Sequence, residues 1–181
     1  GKEPTGVAPT DGAVKALLGA RRGLQAMVDR AAPIDLVMWT MSSGVMTTKI
    51  LAAMARLRVA DLLAKEGPLT GAAIAEKTGQ NADVMHRSMR AMSVMGVFSL
   101  DRDGRFANNF RSEALRSGRA GALRELIEYY GTRSNVDAWN EFDEVLRTGK
   151  NGFETAHGVS VWDFFDAHPG ERELFATAMM G

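Results

Sequence analysis

The residues that could act as acids, bases or metal ligands are few in this sequence. The three histidines, His86, His157 and His168, are too scattered to predict a metal site, and the absence of cysteine excludes thiolate ligands and cysteine nucleophiles. The carboxylates of Asp137 and Glu141 stand about one helical turn apart, a spacing more typical of a solvated helix face. The sequence therefore predicts no catalytic residue and no metal site.

His157 is the best placed of the three histidines for contact with a ligand. It belongs to residues 148–158, a glycine-rich segment that is predicted to be a loop. A loop histidine is free to point into a cavity, but it can equally be structural. The residues alone leave both interpretations open and favour the structural one.

Aromatic and methionine side chains in the last third of the chain are the candidates for a hydrophobic pocket. Such a pocket suits flat aromatic ligands, because burial supplies affinity and methionine adapts to shape. Composition alone favours ordinary core for the same side chains. The set is Tyr129, Tyr130, Phe153, Trp162, Phe175, Met179 and Met180.

The elements that would position these residues are mostly helices. Apolar spacing predicts a helix over residues 13–30, an apolar segment over 34–41 that must be enclosed, and one long helix between Gly44 and Gly67. Enclosure of residues 34–41 by a second copy of the chain is one solution. The later helices are predicted over residues 112–115, 122–130, 135–147, 161–167 and 171–180.

Residues 70–107 have the pattern of a winged helix. Thr70 and Asn81 are predicted N-caps of two short helices, and Asp103-Gly104 predicts a hairpin turn between strands at 97–100 and 105–107. The second helix should turn Met85, Met89, Met92 and Met95 inward and leave His86, Arg87 and Arg90 outside. So few basic residues favour a packing module over a DNA-binding domain.

Length and composition fit an ordinary globular protein. The 181 residues are 45% apolar and 24% charged, and 22 basic side chains balance 22 acidic ones. No strong basic field is available for nucleic acid or an anionic membrane. Neither a signal peptide nor a membrane span is predicted, so we expect a cytoplasmic protein, with a processed or artificial, disordered end at residues 1–12.

The order of several motifs resembles the N-terminal domain of the S-adenosylmethionine-dependent small-molecule O-methyltransferases. This group includes bacterial polyketide and phenazine tailoring enzymes and the plant caffeate and flavonoid enzymes. The similarity runs from about residue 44 to residue 180. It is carried by residues 52–63, 67–70, 74–79, 87–92 and 96–98, and then by Trp139, Thr148, Gly149, Phe153, His157, Gly158, Trp162, Asp163, Pro169, Phe175 and Met179.

The resemblance implies a mainly α fold. Residues 13–110 would be a helical dimerisation domain with a winged-helix-like core and a small β-hairpin. Residues 111–181 would be lid helices that lead to a cofactor domain, and this domain is missing from the sequence. A homodimer through the N-terminal helices is expected, and a small hydrophobic or aromatic acceptor should contact Tyr129, Tyr130, Phe153, His157, Trp162, Phe175 and Met179.

The leading hypothesis is therefore the dimerisation and acceptor-binding part of an O-methyltransferase. The parent enzyme would use S-adenosylmethionine to methylate a hydroxyl of an aromatic or polyketide-like molecule. The chain alone is expected to bind no cofactor and to be inactive, because methyl transfer needs a cofactor platform and a general base. The alternatives are a stand-alone, non-catalytic helical dimer that binds a hydrophobic ligand or a partner subunit, and a winged-helix DNA-binding regulator.

Overall fold

The computed structural model describes residues 11–119 and 123–180. The fold is mainly α-helical, as predicted. Its described residues separate into two compact units, one up to Gly44 and one from Val45 onward. The predicted disordered end at residues 1–12 falls mostly outside the described residues.

The first unit consists of two helices, α1 (Asp11–Ala31) and α2 (Ile34–Ser42). The first begins two residues before its predicted start, and the carboxylate of Asp11 suits the positive end of the helix dipole. Pro33 precedes α2, where a proline fits the start of a helix. Both helices expose large apolar side chains: Leu17, Leu18, Leu24, Met27, Val28, Ile34, Leu36, Met38, Trp39 and Met41.

The prediction of a single long helix between Gly44 and Gly67 is wrong. This part of the chain forms two helices, α3 (Gly44–Arg56) and α4 (Val59–Glu66). The break falls at Arg58, whose φ of 52° lies in the left-handed region. The local sequence has no glycine or proline at this point, so nothing in the apolar spacing marks the break.

The predicted winged-helix elements are present. The helices α5 (Gly71–Thr78) and α6 (Ala82–Val94) start at the predicted caps, with Thr70 and Asn81 accepting hydrogen bonds from backbone N–H groups in the first turns. Two predicted strands form, and a short strand that was not predicted joins them. The strands are β1 (Leu69–Thr70), β2 (Phe98–Leu100) and β3 (Arg105–Asn108).

These strands form an antiparallel sheet in the order β1-β3-β2. Phe106 on β3 pairs with both Leu69 and Leu100, and its side chain is completely buried. The Asp101 carboxylate accepts hydrogen bonds from the N–H groups of Asp103 and Arg105 and closes the hairpin. The sheet thus covers one side of the helical core.

Methionines make a large part of that core. Met85, Met89 and Met92 of α6 are buried as predicted, but Met95 follows the end of the helix and is 37% exposed. His86, predicted to lie outside, is half-buried, and its ring meets the ring of Phe106 edge-on at 5.8 Å. A helix buries more than one row of side chains where a sheet and a second helix both pack against it.

The remaining described chain is helical. A 3₁₀ turn over Ser112–Leu115 comes first and sits close to the winged-helix core, where the N–H and hydroxyl groups of Ser117 donate to the Asp61 carboxylate at 2.9 and 2.7 Å. The predicted domain boundary at residue 110 remains a prediction. The later helices are α7 (Leu123–Tyr130), α8 (Arg133–Asn140), α9 (Phe142–Thr148), α10 (Gly152–His157), α11 (Val161–Ala167) and α12 (Pro169–Met180).

Two predictions in this region are wrong. The helix predicted over residues 135–147 is divided at Glu141, and its first half starts earlier because Thr132 caps Arg133–Asn140. The segment 148–158, predicted to be a loop, contains α10, whose N-cap Asn151 accepts from the N–H groups of Phe153 and Glu154. Glycines at residues 149 and 158 end helices rather than making a long loop.

Candidate functional site

Six of the seven side chains predicted to contact a ligand lie in one continuous set of ring contacts, here called the aromatic cluster. Phe175 on α12 joins two of these side chains, since its ring centroid lies 5.2 Å from that of Tyr129 and 6.2 Å from that of Trp162. The cluster is made of Tyr129, Tyr130, Phe153, His157, Trp162, Phe164, Phe165, His168 and Phe175. The sequence separates these rings by up to 46 residues, and the helices α7, α10, α11 and α12 bring them together.

The aromatic cluster has a buried and an exposed side. Tyr129 and Phe165 are buried. Trp162 is 65% exposed and Tyr130 is 49% exposed, which leaves ring surface free for a further partner. Met179 lies one helical turn after Phe175 and is also exposed. An exposed apolar surface of this kind is typical of a binding face or an interface.

His157 is placed at the end of α10 and not in a loop. Its ring lies 4.4 Å from the ring of Phe153 and 4.9 Å from that of Phe164, and its Nε2 atom lies 3.0 Å from the backbone carbonyl oxygen of Ser134. The imidazole is half-buried. These contacts give His157 a structural role in joining α10 to α8, beside any contact it makes with a ligand.

A polar corner borders the cluster, and sequence reasoning missed it. The hydroxyl of Ser134, which is buried, donates a hydrogen bond to the carboxylate of Glu171, and it lies 3.1 Å from the hydroxyl of Thr132. Glu171 precedes Phe175 by four residues and so lies on the same face of α12. This four-residue spacing from Phe175 is the signal in the sequence that could have identified Glu171 as a neighbour of the aromatic cluster.

The hydroxyl of Tyr129 belongs to the same corner. Burial raises the pKa of Tyr129 above its ordinary value, the negative charge of Glu171 adds to the rise, and a hydrogen bond with Asn135 acts in the opposite direction. The phenol is therefore held in its neutral, protonated form over a wider pH range than a free tyrosine. In that form it can donate a hydrogen bond, but it is a poor general base.

The described residues do not fit an S-adenosylmethionine site. Nucleotide-type cofactors bind at the ends of parallel strands joined by helices, beside a glycine-rich turn. The three strands of residues 11–119 and 123–180 are antiparallel, and one of them has two residues. No step of methyl transfer is therefore assigned to this part of the chain.

The described residues also lack a cluster of metal-ligating side chains and a membrane-spanning helix. They contain no group of three or more histidine, aspartate or glutamate side chains placed to hold a metal ion. Across the same residues, no helix is both long enough and apolar enough to cross a membrane.

The basic side chains of the winged-helix elements do not favour DNA binding. Arg87 pairs with Asp83 at 2.9 Å on the surface of α6, and the Asp101 carboxylate organises the hairpin turn. Arg90 and Arg105 are exposed. A DNA-binding face needs several cations aimed at phosphates, and these contacts give the regulator hypothesis no support.

Comparison with known proteins gives one consistent result. Residues 39–117 match the family described as the O-methyltransferase dimerisation domain. The chain is 35% identical over 124 residues to the mitomycin biosynthesis 6-O-methyltransferase of Streptomyces lavendulae. The aligned region covers 68% of this chain and 35% of that protein.

Solved structures agree with this match. The crystal structure of LaPhzM superposes with a TM-score of 0.75 at 28% identity, over 82% of this chain and 44% of that one. An O-methyltransferase from neocarzinostatin biosynthesis, solved with S-adenosylmethionine and 2-hydroxy-5-methyl naphthoic acid, gives a TM-score of 0.64 at 29% identity, over 74% of this chain and 41% of that one. The chain thus spans less than half the length of the relatives it matches.

Proposed function

We propose that this chain, which belongs over residues 39–117 to the O-methyltransferase dimerisation domain family, provides the dimerisation and acceptor-binding part of an O-methyltransferase. The whole enzyme would transfer a methyl group from S-adenosylmethionine to a hydroxyl of an aromatic or polyketide-like small molecule. Relatives named for mitomycin and neocarzinostatin biosynthesis support this class of acceptor. A cytoplasmic location remains a prediction.

The aromatic cluster is the observation that carries the acceptor-binding proposal. Its exposed rings, Trp162 and Tyr130, stand beside the buried ring of Tyr129 and the half-buried ring of Phe175. A flat acceptor can stack on the exposed rings while Tyr129 and Phe175 hold them in place, which lowers the entropy that binding has to overcome. Phe153, His157 and Met179 complete the proposed binding residues.

The apolar faces of α1 and α2 support the homodimer. Leu24, Met27, Met38 and Trp39 are each more than half exposed. Such surface is unfavourable in water and is stabilised by burial against a second apolar face. Two copies of the same face satisfy this need in a symmetric dimer.

The chain alone should neither bind S-adenosylmethionine nor transfer a methyl group. Its described residues place acceptor-binding side chains, but offer neither a cofactor platform nor a general base beside one. Calorimetry of the chain with S-adenosylmethionine should show no heat of binding, and mass spectrometry of a reaction with 2-naphthol should show no methyl ether. Detection of the methyl ether would contradict this part of the proposal. A full-length relative with its own substrate is the positive control.

The acceptor site is tested with a matched pair of tryptophan variants. Trp162 and Trp139 are both 65% exposed, but only Trp162 lies in the aromatic cluster. Calorimetry with 2-naphthol should show that Trp162→Ala weakens binding by about fivefold or more, whereas Trp139→Ala leaves it nearly unchanged. Equal losses in both variants, or no binding to the unchanged chain, would overturn the assignment of the site.

A further inference from the structure

Glu171 is a half-buried carboxylate beside the aromatic cluster. It lies in the first turn of α12, and Phe175 follows it by four residues on the same helix face. The ring of Phe175 contacts both Tyr129 and Trp162. The carboxylate therefore lies on the face of α12 that carries Phe175 of the aromatic cluster.

No protein cation neutralises Glu171 within the part of the chain that the structure describes. There, no lysine, arginine or histidine side chain lies within 4.0 Å of its carboxylate oxygens. Its partners are the hydroxyl of Ser134 and the partial positive charge at the start of α12. Neither partner carries a full positive charge, so the corner retains a negative potential.

The neighbouring cations have other partners. Arg172 pairs with Asp166 at 2.8 Å, and the Nζ atom of Lys49, which reaches the turn between α7 and α8, donates to the carbonyl oxygen of Gly131 at 2.9 Å. Glu171 is therefore not the counter-ion of these side chains. This arrangement leaves the carboxylate available to a positive group from outside the protein.

Helices α11 and α12 together carry a net negative charge. They carry four carboxylates and one arginine, and the carboxylates belong to Asp163, Asp166, Glu171 and Glu173. Aromatic faces also attract cations through their negative π surfaces. Carboxylates and ring faces therefore favour a cation and repel an anion at the same place.

We infer that the acceptor carries a protonated amine or another cationic nitrogen, which Glu171 binds while the aromatic cluster holds the ring system. This inference rests on the proposed acceptor site and narrows its ligand to positively charged aromatic molecules. Glu171 is then the specificity-determining residue of the site. A carboxylate at the same edge of the ligand would be excluded by charge repulsion and by loss of its own hydration.

Three naphthalene derivatives that differ in one substituent test the charge preference. They are 1-naphthylmethylamine, which is cationic at neutral pH, 1-naphthalenemethanol, which is neutral, and 1-naphthoate, which is anionic. Calorimetry on the 181-residue chain should give affinities in this order, with the cation bound about tenfold or more tightly than the anion. Affinities that do not depend on charge would overturn the inference.

A matched pair of glutamate variants assigns the preference to one residue. Glu171→Gln removes the charge but keeps a carbonyl oxygen that can accept from Ser134, and Glu173→Gln removes the same charge at an exposed position of the same helix. The first variant should reduce the ratio of cation to anion affinity by about tenfold, and the second should change it by less than about twofold. A similar reduction in both variants would show a diffuse charge effect and overturn the role of Glu171.

The same experiment distinguishes failure of the charge preference from failure of the proposed acceptor site. If none of the three ligands binds, the acceptor site itself is wrong, and the charge preference fails with it. If all three bind with similar affinity and Trp162→Ala weakens each of them, the acceptor site holds and only the charge preference fails. Thermal unfolding of Glu171→Gln, followed by circular dichroism, verifies that the variant is folded.

Discussion

The Nε2 atom of His157 lies 3.0 Å from the backbone carbonyl oxygen of Ser134, and the hydroxyl of Ser134 donates to Glu171. One buried residue of α8 therefore contacts α10 through its backbone and α12 through its side chain. These are two of the helices that carry the aromatic cluster. The position of the proposed acceptor site consequently depends on a polar residue that itself contributes no ring to the cluster.

Phe106, one of two buried phenylalanines in the sheet, should contribute strongly to the stability of the winged-helix core. Phe106 is completely buried, so Phe106→Ala leaves a cavity and should lower the free energy of unfolding by about 3–5 kcal/mol. Phe110 is 80% exposed, and Phe110→Ala should cost less than about 1 kcal/mol. Urea denaturation measures both values, and similar losses would contradict the placement of Phe106 in the core.

The close approach of α5 to α6 should exclude any side chain at Gly71. A Cβ atom there would lie 2.7 Å from the Cα atom of His86. Gly71→Ala should therefore lower the free energy of unfolding by about 1–3 kcal/mol. Gly170 in α12 has open space around it, and Gly170→Ala should be neutral or stabilise by up to about 1 kcal/mol. A neutral Gly71→Ala variant would show that the two helices are farther apart.

A charge on the exposed apolar face of α1 should weaken the proposed dimer. Leu24 is 65% exposed, and in a symmetric dimer Leu24→Glu introduces two charges into an apolar contact. Sedimentation velocity should show a dimer dissociation constant raised by about tenfold or more. Gln25→Glu, which adds the same charge at the next position of α1, should have a much smaller effect. A monomeric unchanged chain would contradict the dimer.

The raised pKa of Tyr129 should appear as a loss of stability at alkaline pH. Because the folded protein holds the phenolic proton more tightly than the unfolded chain, this contribution is fully present below the unfolded pKa of about 10. It is lost as pH rises through the raised pKa of the folded state.

Denaturant midpoints measured from about pH 8 to about pH 11 check this expectation. Tyr129→Phe should fall less steeply with pH than the unchanged chain, because it has no phenol to ionise at this site. Parallel curves for the two proteins would contradict the raised pKa.

Several elements are specified by local chemistry and could be predicted from the sequence. Thr70 and Asn81 cap the helices that their side chains predicted, and Asp103-Gly104 marks the hairpin, because caps and turns depend on neighbouring residues only. The order of motifs also predicted the family whose model residues 39–117 match. The composition of α2 predicted an apolar segment that must be enclosed, and in the single chain its large apolar side chains are exposed.

The break at Arg58 and the hydrogen bond between Ser134 and Glu171 depend on tertiary structure. Arg58 adopts a left-handed conformation that its own type does not favour, so packing between α3 and α4 has to specify it. Ser134 and Glu171 are 37 residues apart, and no local spacing predicts their hydrogen bond. Contacts between distant residues depend on how the helices pack, and this is the information that periodicity along one chain does not contain.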